Sequence, residues 1–309
     1  MARLVLLGQS ELEALTIARD DKLAGIKDDF NDLAGQFIFE MNKIHSTGRG
    51  MEGLAHIESE HSVFDPNIAL DVARFSFDNS ENIFKVKSGS FDVVVENIAD
   101  GTNKVFTINV DLNGVGNETT LSDLIKQLSV VPNIKAELNN QKKLEITSTN
   151  ANAQFYFKND SSNFLAAMGV NGFFSGVDAS TIKVRDELKE NPQLVSGGLS
   201  SQAGDNTNAV RIVDLRNQLI FGGKGVTVDE YYQTLIGGIA VETNRANELV
   251  TTHDLIFTSL TKLKEETSGI STDEEAADLI KFQRSYQASA RFVSVVNDLL
   301  DTLINRIGV

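Results

Sequence analysis

The sequence has no cysteine, which removes disulfides, thiolate nucleophiles and the commonest structural zinc sites together. The redox compartment is therefore unmarked. The absence is compatible with the cytosol, and it also suits a protein exported unfolded, because no thiol can mispair in transit. Proline is scarce: there are three, Pro66, Pro132 and Pro192, and none follows Pro192. The C-terminal third thus lacks this helix breaker, and long helices are expected there. No apolar run approaches the roughly 20 residues that cross a bilayer, and Met1 to Leu7 is too short for a secretory signal with its own cleavage site. Basic charge is also in deficit, with 28 Lys and Arg against 43 Asp and Glu and a net charge of −15. The acidic residues are scattered, and no segment carries the basic footprint that a phosphate backbone requires. Neither nucleic acid nor a membrane is an expected partner.

What is present supports a folded chain. Hydrophobic residues make up 41% and charged residues 23% of 309, ordinary globular usage in a length that suggests two or three folding units. Residues 9 to 45 read as a helical segment, because Leu12, Leu15, Leu23, Ile26, Phe30, Leu33 and Phe37 recur mostly three or four residues apart. His45-Ser46-Thr47-Gly48 marks its exit. From about Phe75 to Val170 the period changes to two. Phe106, Ile108, Val110 and Leu112 alternate with Val105, Thr107, Asn109 and Asp111, as in a strand with one buried face. Turns are expected at Ser88-Gly89-Ser90, Asp100-Gly101 and Asn139-Asn140, between the apolar runs IFKVK, FDVVVE, KVFTINVDL, IKAEL and LEITS. Within this region TTLSDLIKQL predicts one helix, capped by Thr120 with Asp123 three residues on and presenting Leu121, Leu124, Ile125 and Leu128 on one face. The stretch from Phe173 to Asn217 is rich in Gly, Ser, Asn and Asp, its apolar pieces are too broken for a helix of any length, and it reads as a connector with some local structure.

Beyond Gly225 the chain is predicted helical to its end, in two segments divided at Thr267-Ser268-Gly269. In the first, Val228, Tyr232, Leu235, Ile239, Glu242, Ala246, Leu249, His253, Ile256, Leu260 and Leu263 follow alternating four- and three-residue steps. That 3.5-residue seam is the pattern of helices packed lengthwise in a left-handed supercoil. Gly237-Gly238 interrupts it at a cost of about 1 kcal/mol per glycine, a local soft spot. The second segment opens on a capping box from Ser271 to Glu274, with Asp273 and Glu275 beside the positive helix end. Two adjacent stripes run along it, one through Leu279, Gln283, Tyr286, Ala290, Val293, Asn297, Leu300, Ile304 and Ile307, the other through Phe282, Tyr286, Ser289, Val293, Val296, Leu300, Leu303 and Ile307. One antiparallel partner covers one seam and leaves the other for a third helix or another copy. Spacing alone does not separate this from the core of one soluble bundle.

Chemistry finds little purchase. Of the four histidines, only His56 and His61, in HIESEH, sit among carboxylates as metal ligands would. On a helix a five-residue spacing turns the imidazoles about 140° apart, and on a strand it sends them to opposite faces. The run reads as a solvated loop, with adventitious metal as the alternative. His253 falls on the seam, Gly222-Gly223-Lys224-Gly225 lacks the spacing of a phosphate loop and reads as a turn, and Asp20-Asp21 and Asp28-Asp29 read as a solvated face. No catalytic, metal or cofactor-binding residue is assigned, and no enzyme is expected.

The terminal run SGISTDEEAADLIKFQRSYQASARFVSVVNDLLDTLINRIGV resembles the last helix of the flagellar hook-associated protein 1 family, the first hook-filament junction proteins. The core SGxSxDEEAAxLIxxQxxYQAxAR is almost complete from Ser268 to Arg291, with Thr272 where that family tends to be apolar. FFSGVDASTIKVRDELKENPQLVSGG and GDNTNAVRIVDLRN resemble the family's re-entry segment. TLSDLIKQL, KLEITST and NFLAAMGVNGFFSG resemble its outer domain, and RDDKLAGIKDDFNDLAGQFIFEMNKIHSTG resembles the helix before it. Met1 to Gly8 shows nothing like the family's long N-terminal helical region, so the chain looks like a C-terminal portion whose seam on residues 273–307 lacks its intrachain partner.

The resemblance implies an α+β fold, elongated, with a helical stalk from both chain ends, coiled-coil-like C-terminal helices and an inserted antiparallel β-rich domain. The expected division is a stalk segment at 1–50, an α+β outer domain at 51–175, an irregular connector returning to the stalk at 176–225, and long C-terminal helices for packing and assembly at 226–309. The implied function is that of a structural subunit exported through the flagellar channel, which polymerises as a homo-oligomer in the extracellular axial structure between hook and filament. The implied partners are the hook protein, the second hook-filament junction protein and a flagellar export chaperone. Leu279, Phe282, Tyr286, Ala290, Val293, Val296, Leu300, Leu303 and Ile307 are the expected assembly or chaperone contacts. The competing reading is a non-polymerising extracellular binding module that uses the β-rich insert.

Overall fold

The computed structural model describes residues 16–77, 83–221, 225–268 and 272–306. The chain divides into two compact units, Met1–Ile239 and Ala240–Val309. The fold is α+β, with antiparallel sheets in the first unit and long helices toward the C-terminus.

The first unit opens on a π-helical turn, Ala18–Leu23, that leads into helix α1, Ala24–Ser46. Residues 9–15 of the expected helix lie outside the described residues. Burial along α1 is graded: Leu23 is exposed, Phe30 and Leu33 are half-buried, and Gly35, Ile38, Phe39, Met41, Asn42, Ile44, His45 and Ser46 are buried. The helix therefore docks by its C-terminal half and exits at Thr47, as the His45-Ser46-Thr47-Gly48 run predicts.

Two three-stranded antiparallel sheets follow. One has the order β1 (His56–Ser62), β5 (Lys143–Ser148), β4 (Ile134–Leu138); the other has the order β3 (Asn103–Val110), β2 (Gly89–Asn97), β6 (Ala153–Lys158). The alternation expected of β3 is present, with Ile108 and Val110 buried while Val105, Thr107 and Asn109 are exposed. Asp100-Gly101 turns β2 into β3, and Asn139-Asn140 turns β4 into β5. The sheets are sutured by residues 54 and 55. Leu54 exchanges backbone hydrogen bonds of 2.8 Å with Phe155, and the Ser148 N–H donates to the Ala55 carbonyl at 2.8 Å.

Helix α2, Leu121–Val130, has the predicted cap in full. Thr120 Oγ1 accepts from the Asp123 N–H at 3.2 Å, and Asp123 Oδ2 accepts from the Thr120 N–H at 3.3 Å. Its Leu121, Leu124 and Leu128 are fully buried against β3 and β4. Helix α3, Phe164–Met168, packs on α1 and β1 and ends at Gly169, whose positive φ of 67° and close approach to Glu60 leave no room for a Cβ. Phenylalanines join these elements: Phe91 stacks on Phe164 at 5.5 Å between ring centroids and meets Phe157 edge-on at 6.3 Å.

Three local expectations are corrected. The run IFKVK is not a strand, although Phe84 and Val86 alternate inward. Its N–H groups go elsewhere, Lys85 to the Ile83 carbonyl and Lys87 to the Ser162 carbonyl. Ser88-Gly89-Ser90 is no turn, because Gly89 already begins β2. The solvated loop expected at HIESEH is strand β1. Ile57, Ser59 and His61 are buried and His56, Glu58 and Glu60 are not, so the two imidazoles lie on opposite faces. Ser59 can be buried because its hydroxyl donates to the His61 carbonyl at 2.7 Å and accepts from the Leu144 N–H at 2.9 Å. His61 packs on Phe77 and Phe84.

The stretch from Phe173 holds more regular structure than its composition suggests: the hairpin β7 (Phe174–Ser175) and β8 (Lys183–Val184), and helices α4 (Asp186–Glu190) and α5 (Thr207–Asp214). Asparagine side chains pin it to α1 by taking the place of backbone partners. Asn42 accepts from the N–H groups of Phe173 and Phe174 at 2.8 and 2.9 Å and donates to the Phe174 carbonyl at 3.0 Å. Asn208 donates to the carbonyls of Ile44 and Ser196 at 3.1 and 2.7 Å. Between them lies His45, fully buried. Its Nε2 accepts from the Ser196 N–H at 3.0 Å, so its Nδ1 carries the proton donated to the Asn171 carbonyl at 2.8 Å.

Arg49, just past α1, ties the same region to the sheet. Its backbone pairs with Gly198, and its guanidinium grips Glu96 Oε2 from Nη2 at 2.7 Å and Nε at 3.0 Å, with both side chains buried. Glu96→Ala is expected to cost about 3–5 kcal/mol in thermal unfolding, because it strands a buried guanidinium. Joint replacement by Arg49→Met and Glu96→Leu recovers most of that loss, whereas equal losses for single and double variants contradict the account.

The last two helices are α6, Val228–Ser268, which runs across the division between the units, and α7, Thr272–Arg306. Thr267 and Ser268, at the expected division, are the last residues of α6, and Gly269 lies outside the described residues. Thr227 and Glu230 cap α6 reciprocally: Thr227 N–H donates to Glu230 Oε2 at 2.8 Å and Glu230 N–H donates to Thr227 Oγ1 at 3.3 Å. This box was not anticipated. Ser271, whose capping role was, lies outside the described residues, as do Gly222, Gly223 and Lys224. Gly237 and Gly238 sit inside the continuous helix, immediately before the division between the units.

Candidate assembly surface

Helices α6 and α7 carry large apolar side chains that water reaches. On α7, Leu279, Phe282, Tyr286, Val293 and Leu300 are 67%, 69%, 76%, 57% and 49% exposed. Ala290 is exposed as well, and Val296 is half-buried. Leu303 lies within α7 with its side chain outside the described set, and Ile307 is outside the described residues altogether. On α6 the seam residues Tyr232, Leu249, Ile256, Leu260 and Leu263 are also exposed, and so is His253.

Sequence reasoning missed part of this surface. Ile280, Phe292, Val295 and Leu299 are also large, apolar and exposed. Phe292, Val295 and Leu299 form a row at three- and four-residue steps, roughly a third of a turn around the helix from Val293 and Leu300. The same spacing rule finds them once the search is not confined to the two stripes. A helix with so wide an apolar face differs from the usual surface helix, whose apolar stripe covers one side only. Full burial of each such side chain is worth about 1.5–3 kcal/mol, so covering the rows of α7 supplies on the order of ten kcal/mol before the entropy of association is subtracted.

The polar side of α7 gives this surface an orientation. Asp273, Glu274 and Glu275 occupy its first turn, where negative charge favours the helix end. Among the described residues no helix is long and apolar enough to cross a membrane.

Comparison with known proteins bears on the same segment. Residues 264–306 match the family model described as flagellar basal body rod FlgEFG protein C-terminal. Flagellar hook-associated protein 1 of Bacillus subtilis is 33% identical over 133 residues, 42% of this chain and 26% of its own length. The protein of that name in Salmonella typhimurium is 30% identical over 124 residues, 40% of this chain and 21% of its own. That of Escherichia coli strain K12 is 27% identical over 174 residues, 52% and 32% of the two lengths.

Over 40–52% of its length the chain is similar to flagellar hook-associated protein 1. It spans between a fifth and a third of the relatives it matches. These hook-associated relatives are structural components of the bacterial flagellum, an exported, extracellular assembly, and they are not known as enzymes. The rod-type match covers the whole of α7 and the last residues of α6.

Proposed function

We propose that this chain is a structural subunit of the bacterial flagellum that polymerises at the junction between hook and filament. The observation that carries the reading is the coincidence of the rod-type C-terminal match, residues 264–306, with the open apolar rows of α7. Leu279, Phe282, Tyr286, Ala290, Val293, Val296, Leu300, Leu303 and Ile307 pack against neighbouring subunits of the axial structure. Before assembly the same rows occupy the groove of an export chaperone, because an amphipathic helix with a broad apolar face suits such a groove. The hook protein lies on one side of the assembled ring and the second hook-filament junction protein on the other. Residues 1–50 and 226–309 form the stalk, 51–175 the outer domain and 176–225 the returning connector.

The absence of cysteine agrees with export of an unfolded chain through a narrow channel. The relatives lend no support to a non-polymerising binding module. The experiment is localisation in the flagellated host: the chain carries an epitope tag in the exposed 98–102 turn, and isolated flagella are examined by immunogold electron microscopy. Label confined to a short zone where hook meets filament is expected. Label spread along the filament, or absent from intact flagella while the protein is secreted, overturns the proposal.

A further inference from the structure

We propose that Asn113-Gly114 is a self-processing site at which the folded chain converts Asn113 to aspartate and isoaspartate. The pair lies in the exposed loop between β3 and α2, and that loop is held at both ends. The Thr119 N–H donates to the Asp111 carbonyl at 2.8 Å, the Asp111 N–H to Thr119 Oγ1 at 2.8 Å, and the Leu112 N–H to Ser88 Oγ at 2.8 Å. Two further contacts matter chemically. Glu118 Oε1 accepts from the Gly114 N–H at 2.9 Å, and Asn113 Oδ1 accepts from the Val115 N–H at 2.8 Å.

Those contacts are the two aids that attack of a backbone nitrogen on a side-chain amide needs. The Glu118 carboxylate is placed to take the proton from the Gly114 nitrogen as a general base. The Val115 N–H is placed on the oxygen that gains negative charge as the Asn113 carbonyl carbon becomes tetrahedral. The Gly114 nitrogen then bonds to Asn113 Cγ, the Cγ–Nδ2 bond breaks, and the side-chain nitrogen leaves as ammonia carrying the proton that Glu118 received. Water opens the resulting succinimide at either carbonyl and gives aspartate or isoaspartate. The balance is one water consumed and one ammonia released, with no redox partner. Gly114 has a positive φ of 76° and no side chain to obstruct the attack.

The chain carries its own reference. Asn171-Gly172 has the same two residues, but Asn171 is buried, and its Nδ2 is held by the Ser46 carbonyl and Ser196 Oγ, both at 3.4 Å. Among the described residues no carboxylate is placed on the Gly172 N–H. The inference is thus about placement and not about composition. It predicts that conversion at Asn113 is faster in the native chain than in the unfolded one, the reverse of the usual protection by folding.

The test is a time course of the full chain at neutral pH and 37 °C, natively and in urea, with peptide mapping by mass spectrometry at positions 113 and 171. Conversion at Asn113 but not at Asn171 is expected in the native chain. Glu118→Gln is expected to slow it about tenfold or more natively and to leave the rate in urea unchanged. A native rate at Asn113 no greater than the rate in urea overturns the proposal. So does a native rate unaffected by Glu118→Gln in a variant whose thermal unfolding matches the parent.

Discussion

A carboxylate introduced at Val293 or Leu300 is expected to abolish incorporation of the chain into flagella while leaving its own fold untouched. Both side chains are about half exposed in the free chain, so Val293→Asp and Leu300→Asp remove little packing there, and the thermal unfolding of the first unit should not move. In an assembled neighbour's seam the same carboxylate has to be desolvated without a partner, at several kcal/mol per subunit contact. Repeated around a ring, that cost exceeds what a single interface gains. Ser294→Asp is the matched control, since its position lies on the side of α7 shared with Asp298 and Asp301. Immunogold counts per flagellum, with secretion measured in parallel, provide the readout. Normal incorporation of both seam variants sinks the packing role of α7, and equal loss with Ser294→Asp sinks its directionality.

The parts of the fold legible in the sequence are those in which a residue's own neighbours decide its state. Thr120 and Asp123 cap α2 through atoms three residues apart, and the alternation from Val105 to Val110 needs only one buried face. The two long helices α6 and α7 were legible for the same reason. Strand β1 was not, because Ser59 and His61 are buried by satisfaction from partners far along the chain, Leu144 for one and Phe77 and Phe84 for the other. IFKVK shows the opposite failure. It has strand composition and an inward alternation, yet its hydrogen bonds go to Ser162 and to itself. The asparagine pins were equally hidden, since the partners of Asn42 inside α1, and of Asn208 in a stretch whose composition reads as turns, lie far along the chain. On α7 the two stripes traced from the period leave out Phe292, Val295 and Leu299, which are as exposed as the residues on the stripes.

The buried histidines give the first unit a defined acid weakness. His45 is held down to about 4 mainly by burial, against the carbonyl of Asn171 that favours its proton, with Arg185 adding to the depression. His61 is held down to about 3, again mainly by burial, then by Arg185 and Lys143. In the unfolded chain both titrate near 6.5. Between pH 6.5 and 4 the unfolded chain therefore binds a proton at each imidazole that the folded chain refuses, and stability must fall as pH falls. The slope is about 1.4 kcal/mol per pH unit for each histidine, or roughly 3 kcal/mol from each across that window. It levels off once pH drops below the folded-state values.

The carboxylates do not mimic this effect. Asp123, depressed first by the Thr120 hydroxyl, and Glu187, depressed first by Arg185, lose their contribution only at and below the ordinary carboxylate range. Asp160, raised by burial, acts in the opposite sense as pH falls toward its ordinary value. Geometry adds a second reason at His45, since a proton on Nε2 would face the Ser196 N–H that now donates to it. Urea unfolding at pH 7, 6, 5 and 4.5, followed by amide exchange in β2 and β5, should show the midpoint falling throughout that range. His61→Phe keeps the ring packing against Phe77 and Phe84 and should remove about half of the slope. A midpoint flat from pH 7 to 4.5, or a slope unchanged by His61→Phe, contradicts the assignment of the acid response to these two buried rings.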